Sequence, residues 1–232
     1  MALTYLVTGA SRGLGLEFVR QLAEKKHTVI ACARAPDNSQ ELKKLVDNKH
    51  VYAVTLDTVD EASIKSAVAA VVKIVPDGID VLINNAGVMG EDGDVLAAPA
   101  KEYMRVFETN VVGTASVSQV FLPLLRKRNT RRIINISSDD GSIANTHTGY
   151  SSAYHVSKAA LNMLTKAWAS HLQPEHFTIV AIHPGWIQTD MGTSMAPLTP
   201  REAIADVLNT VEQLGTKHSG LYMNNKGERM AW

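Results

Sequence analysis

Tyr154 and Lys158 stand four positions apart in Tyr154-His155-Val156-Ser157-Lys158, so on a helix the phenol and the ammonium share one face. A free phenol titrates near about 10, too high for efficient acid-base work at neutral pH. A nearby cation favours the phenolate and brings proton transfer within reach. Taken alone, the same spacing also describes a core tyrosine followed by a solvated lysine. A second chemical signal lies at the other end of the chain. Thr8-Gly9-Ala10-Ser11-Arg12-Gly13-Leu14-Gly15 follows an apolar run and opens a helical stretch. Glycines there allow a tight turn and let backbone N–H groups approach a pyrophosphate, which the positive helix end then stabilises.

The next apolar run ends Ala31-Cys32-Ala33-Arg34, with no acid before Asp37. A dinucleotide fold that takes NAD carries an acid near this point to bind the ribose 2′-hydroxyl. Its absence, with Arg12 in the glycine turn and Arg34 after the run, points to a clamp on a 2′-phosphate. That favours NADP(H).

The elements that must position these groups alternate along the chain. Strands are expected at Leu3–Thr8, Thr28–Ala33, Val51–Leu56, Ile79–Asn84, Arg132–Ser137, Thr178–His183 and near Leu221–Met223. Helices are expected at Gly13–Lys26, Glu61–Val75, within Ala100–Arg128, and at Ser152–Leu172 and Pro200–Leu214, with Pro123 kinking or ending the third. Single helices between strands imply parallel pairing with right-handed crossovers. The expected fold is α/β, a single-domain doubly wound parallel sheet of about seven strands with helices on both faces. In such a sheet ligands bind beyond the carboxyl ends of the strands. Ser137-Ser138 and Asn84-Asn85-Ala86-Gly87 fall at two such ends, and Asn110 lies in the long helical stretch.

With these residues assembled, the chain resembles the short-chain dehydrogenase/reductase family throughout its length. It carries that family's TGxxxGxG turn at Thr8–Gly15, its NNAG segment at Asn84–Gly87, an Asn-Ser-Tyr-Lys tetrad, and His183-Pro184-Gly185 with Thr189 beyond. The resemblance implies that Tyr154 exchanges a proton with the substrate oxygen. It also implies that Lys158 lowers the tyrosine pKa and holds the nicotinamide ribose, that Ser138 hydrogen-bonds the substrate, and that Asn110 holds a proton relay. Gly9, Ser11, Arg12, Gly13, Leu14, Gly15 and Arg34 would meet the phosphates, and Asp57 with Thr58 the adenine. Asn84, Ala86 and Gly87 would line the adenosine ribose side, and Pro184, Gly185, Ile187 and Thr189 the nicotinamide. Ser138 rather than Ser137 follows the family pattern; the residues alone leave that open. The stretch His183–Gly192 and the closing Gly227–Trp232 look most like the Sniffer carbonyl reductases and bacterial C-factor proteins. An NADPH-dependent reductase of aldehydes, ketones or quinones is thus implied, with a cofactor-binding regulator or a polyketide or acyl ketoreductase as alternatives. Met89, Trp186, Met191 and Met195 are candidate pocket liners, Trp232 a residue at the active site or a subunit contact, and a homodimer or homotetramer is expected.

Composition narrows the field further. Lys and Arg number 23 against 23 Asp and Glu, which leaves no net charge to attract nucleic acid or an anionic membrane. The run Arg126–Arg132 is expected to be a solvated helix end. One cysteine, Cys32, excludes an internal disulfide and reads as a buried strand residue, and the eight histidines lack clustered metal-ligand spacing. His155 is expected to be a supporting or solvated group. No apolar run approaches the roughly 20 residues of a membrane span, and the N-terminus lacks a signal-peptide pattern, so a cytoplasmic location is expected.

Overall fold

A computed structural model describes residues 2–91, 95–146 and 150–232. The strands are β1 (Thr4–Thr8), β2 (Thr28–Ala33), β3 (Val51–Thr55), β4 (Val81–Asn84), β5 (Arg132–Ile136), β6 (Thr178–His183) and β7 (Tyr222–Asn224). All seven join one parallel sheet in the order β3-β2-β1-β4-β5-β6-β7. The helices are α1 (Gly13–Glu24), α2 (Gln40–Leu45), α3 (Glu61–Ile74), α4 (Ala100–Phe107), α5 (Thr114–Arg126), α6 (Ser152–His171) and α7 (Pro200–Gln213).

Side-chain alternation along the strands builds a core on each face of the sheet. Tyr5, Val7, Val29, Ala31, Ile83 and Ile134 pack against Phe18 and Leu22 of α1 and Val207 and Val211 of α7. Leu6, Ile30, Cys32, Leu82 and Ile133 point the other way, onto Ile64 and Val71 of α3 and Val117 and Phe121 of α5. Cys32 is fully buried, and that burial pushes its thiol pKa well up, as befits a packing residue.

The expected elements all form, with ends differing by one or two residues, and the short α2 is added. The long third helix behaves differently from the expectation. It runs through Pro123 to Arg126, and its irregularity is a π-helical turn at Glu108–Gly113 instead. Pro123 is tolerated because it lies on the exposed face, as does Gln119, whose carbonyl its missing N–H would have met. The basic run is spent locally. Arg126 makes a bidentate pair with Glu175 at 2.7 Å, Arg128 pairs with Asp80 at 3.0 Å, and Arg131 and Arg132 donate to backbone carbonyls.

Among the described residues no helix is long and apolar enough to cross a membrane, and no group of three or more His, Cys, Asp or Glu is placed to hold a metal. The chain winds outward from β1 to β3, then returns to start again at β4. That reversal opens a crevice beyond the carboxyl ends of β1 and β4, where the tight turns and the tetrad converge.

Candidate active site

The floor of the crevice is the turn between β1 and α1. Gly9 and Gly13 take φ values of +69° and +54°, a region that suits glycine. A Cβ on Gly9 would come 2.9 Å from the Cα of Ala86, and one on Gly15 would strike the Gly9 carbonyl oxygen at 2.1 Å. These glycines therefore permit close backbone approach. A Cβ on Gly13, by contrast, would meet only the Thr189 methyl, at 4.0 Å. The turn thus faces open space bounded by the loop after β6. The N-cap of α1, Arg12, makes no side-chain capping bond and the first turn has no acid, whereas Ser39, Asp60 and Thr199 cap α2, α3 and α7. Positively polarised N–H groups are left facing the opening, and this cradle fits a dinucleotide pyrophosphate. Ser11 contributes a backbone carbonyl to the Ser39 hydroxyl at 2.6 Å, and Leu14 packs against the core.

Arg12 and Arg34 are both exposed at the mouth of the cradle. Arg12 pairs across it with Asp190 at 2.9 Å, tying the glycine turn to the loop that holds Ile187 and Thr189. Arg34 has no such partner among the described residues. Asp57 and Thr58 follow β3, and Thr58 lies against Gly113 of the π-helical turn.

Asn84 departs from its expected role. Its amide is buried and donates to Ser118 at 2.9 Å and Asn135 at 2.8 Å, so the side chain braces the sheet and only its backbone is left to meet a ligand. Its neighbour Asn85, passed over in the sequence, donates to the carbonyls of Thr8 (2.9 Å) and Gly9 (3.4 Å) and thereby fixes the glycine turn. Ala86 adds a backbone bond to the Thr8 hydroxyl at 3.0 Å. The NNAG pattern was the signal; which asparagine reaches the turn was not in it.

The π-helical turn carries Asn110. Its carboxamide oxygen accepts from Val88 N at 2.8 Å, and its nitrogen donates to Val88 O and Ser157 Oγ, each at 2.9 Å. A Cβ on Gly87 would lie 3.2 Å from the Asn110 oxygen and 3.8 Å from Lys158 Nζ, so the backbone of Gly87 brings Asn110 and Lys158 near one another.

On α6, Tyr154, Lys158, Leu161, Asn162 and Thr165 form the buried face. The Lys158 ammonium donates to Ile136 O at 2.8 Å and sits 5.4 Å from the Tyr154 ring centre. The Tyr154 hydroxyl lies near enough to Ser138 for that residue to draw its pKa down, while the Ser138 hydroxyl itself faces Asp139 and Asp140. Ser137 is excluded from that role because its hydroxyl is spent on Asn162 at 2.7 Å. Of the loop after β6, Pro184 and Ile187 are buried, Gly185 has φ +97°, and Thr189 faces the glycine turn.

The electrostatics reverse one expectation. Burial pushes the Tyr154 pKa above its ordinary value, and the Asp140 and Asp139 carboxylates raise it further against an opposing contribution from Ser138. Lys158 is not among the causes. Burial instead lowers its own pKa to about 8, partly opposed by Asp140. The protein alone therefore keeps the phenol protonated.

Asp139 and Asp140, the pair next to Ser138, had no signal in the motifs. Asp140 Oδ1 lies 3.2 Å from His155 Nε2, which draws that histidine round to the rim of the site. The C-terminal segment also reaches the site. Tyr222 donates its hydroxyl to Ser138 O at 2.6 Å, and Trp232 stacks on Tyr222 with ring centres 5.5 Å apart. Trp186, Met191 and Met195 are largely exposed and Met89 half-buried, around the same opening. Part of the segment between Ser138 and Tyr154, residues 147–149, lies outside the described residues.

Comparison with known proteins agrees with this geometry. The short chain dehydrogenase family model matches residues 4–198. The carbonyl reductase Sniffer of Drosophila melanogaster is 32% identical and superimposes with a TM-score of 0.96, each chain covered in full. An NADPH-bound carbonyl reductase from chicken fatty liver is 35% identical with a TM-score of 0.93, covering 100% of this chain and 99% of that one. The C-signal protein of Myxococcus xanthus is 40% identical over 157 residues, 66% of this chain and 93% of the relative.

Proposed function

The chain belongs to the short-chain dehydrogenase/reductase family, and we propose from that premise that it reduces an aldehyde, ketone or quinone to the alcohol at the expense of NADPH. The observation that carries the reading is the meeting of Ser138, Tyr154 and Lys158 at the end of β5, beside a glycine cradle that fits a dinucleotide. The reduced nicotinamide supplies the hydride when bound. Ser138 and Tyr154 orient the substrate oxygen by hydrogen bonding, and Tyr154 gives that oxygen its phenolic proton. A raised pKa suits this direction, since the group must arrive protonated. Lys158 and Asn110 lie close together at Gly87, on the side from which the proton on Tyr154 would be replaced. Arg12 and Arg34 favour NADPH over NADH, a preference supported by the NADPH-bound relative.

Exposed Met104 and Phe107 on α4 and Val156 and Met163 on α6 support pairing of two copies through these helices, as a homodimer or homotetramer.

The test is NADPH consumption against a panel of carbonyl compounds, with Tyr154→Phe beside the natural chain. The substitution is expected to reduce turnover by at least about 100-fold with NADPH affinity nearly unchanged. Retained activity in Tyr154→Phe refutes the assigned role. Tight NADPH binding with no turnover on any carbonyl would favour the signalling alternative.

A further inference from the structure

The hydroxyl that must meet the substrate oxygen is already shared with two carboxylates. Ser138 Oγ lies 3.1 Å from Asp139 Oδ1 and 3.3 Å from Asp140 Oδ2, and Asp140 N donates back to Ser138 Oγ at 3.2 Å. An oxygen hydrogen-bonded to Ser138 would therefore sit within about 6 Å of both negative charges.

Among the described residues two histidines and one lysine stand near these carboxylates, and above the imidazole range neither histidine offsets them. His183 Nδ1 is 3.5 Å from Asp139 Oδ1, yet the same nitrogen accepts from Asp139 N at 2.9 Å. A ring nitrogen that accepts an N–H bond carries no proton, so this contact is not an ion pair. Burial of His183 holds it further from protonation. His155 presents both ring nitrogens to acceptors, Nε2 to the other Asp140 oxygen and Nδ1 to Ser151 O, each at 3.2 Å. In its doubly protonated form it partners Asp140, and in its neutral form it leaves both carboxylates without a cation. The remaining cation, Lys158, is buried behind Tyr154 and points its ammonium at Ile136 O. Asp139 is 61% and Asp140 37% exposed at the side chain, so both carboxylates are open to a solute that approaches Ser138.

Accepting the reductase reading of this site, we propose that Asp139 and Asp140 make it selective for cationic carbonyl compounds. These are aldehydes or ketones bearing an ammonium or other positively charged nitrogen within a few bonds of the carbonyl. A neutral carbonyl must take the Ser138 proton from two carboxylates with nothing to offer them in return. A neighbouring cation gives them a partner while the carbonyl takes the hydroxyl. The influence of both carboxylates on Tyr154 agrees with their facing the reacting position. At about 6 Å, with the partial screening of half-exposed groups, one such charge shifts kcat/KM by about tenfold.

The test uses meta-(trimethylammonio)benzaldehyde and its uncharged isostere meta-tert-butylbenzaldehyde, at a pH above the imidazole range. The ratio of their kcat/KM values is compared between the natural chain and Asp139→Asn/Asp140→Asn, so that intrinsic reactivity and any general loss of activity cancel. The ratio is expected to fall about tenfold in the variant, and to fall in the natural chain as ionic strength rises. The single variant Asp139→Asn, at an exposed position, and the salt titration of the unaltered protein stand in if the double variant does not fold. Turnover of both aldehydes with a ratio indifferent to substitution and to salt overturns the selectivity alone. No NADPH consumption with either aldehyde overturns the reductase reading and the selectivity with it.

Discussion

Replacing Gly15 by alanine probes the cradle at its tightest point. The new methyl carbon would lie 2.1 Å from the Gly9 carbonyl oxygen and 2.7 Å from both the Gly9 carbonyl carbon and Asn85 Nδ2. Two of the three atoms are backbone, and the Asn85 amide is itself bound to Thr8 O, so no flexible side chain can swing aside. The Gly9 turn or the start of α1 must therefore shift by about 1 Å or more to restore ordinary carbon–oxygen contact. Overpacking of this kind costs about 1–3 kcal/mol. For a chain of this length each kcal/mol lowers Tm by about 2–4 °C, which gives an expected fall of about 2–12 °C. The same shift moves the N–H groups that meet phosphate, so NADPH affinity should drop at least about tenfold. Gly215→Ala is the control, since nothing lies within 4 Å of its added carbon and its φ of −146° suits any residue. Thermal melting by circular dichroism and NADPH titration by fluorescence read both quantities. A Gly15→Ala protein that melts with the control and binds NADPH equally well refutes the close-approach account of the turn.

Replacing Arg12 and Arg34 by neutral residues is expected to raise KM for NADPH far more than for NADH, and an equal rise with both cofactors would remove the 2′-phosphate assignment. Lys158, with its pKa lowered from 10.5 to about 8, holds its proton in the unfolded chain over a range where the folded chain has released it. Stability should therefore rise with pH from about 8 to 10.5, by on the order of 3 kcal/mol, and denaturant unfolding of Lys158→Met should lack that rise. Tyr222→Phe removes one of the two donors to the Ser138 carbonyl, which Gly141 N still meets at 3.0 Å, at a cost of about 0.5–1.5 kcal/mol. Its kcat should fall several-fold with NADPH affinity preserved; an unchanged kcat would show that Ser138 holds its place without this tether.

The strands and helices were legible because each is decided locally. β-branched apolar runs at Thr28–Ala33 and Val51–Thr55, and three- and four-residue apolar steps in Glu61–Ile74, leave little choice of period. The placement of the glycine turn, Asn84–Gly87 and Ser138 was legible because each follows a strand, and parallel strands bring their carboxyl ends to one edge. What escaped depended on contacts across long sequence separations. Ser138 and Ser137 differ only in which hydroxyl α6 consumes, and that is settled by Asn162, 25 positions from Ser137. Asn84 and Asn85 alternate across the strand end, so one braces the sheet and the other the glycine turn. The π-helical turn was invisible because weak helix formers such as Thr109, Asn110, Val111, Val112 and Gly113 do not specify that geometry, and its carbonyls are met by partners such as the Thr114 hydroxyl on Asn110 O at 3.0 Å. Pro123 misled because a proline rule takes no account of which face of the helix meets solvent.

The chemistry of Tyr154 and Lys158 also looks different once their surroundings are in place. Four-residue spacing suggests a lysine that acidifies a tyrosine, but both groups are deeply buried, and burial acts on them in opposite senses. It keeps the phenol protonated and makes the ammonium easier to discharge, so each neutral form is favoured. Asp140 opposes the second effect and reinforces the first, because one carboxylate stabilises the nearby cation and destabilises the nearby phenolate. Carbonyl reduction asks for that combination: an acid that arrives with its proton and a cation held in reserve beside it. Oxidation of an alcohol asks for the reverse, a tyrosinate ready to accept, and only a positive charge brought in with the oxidised cofactor would supply it here. The carboxylates beside Ser138 thus add to burial in favouring the protonated phenol, and Asp140 favours the protonated ammonium on the same helix.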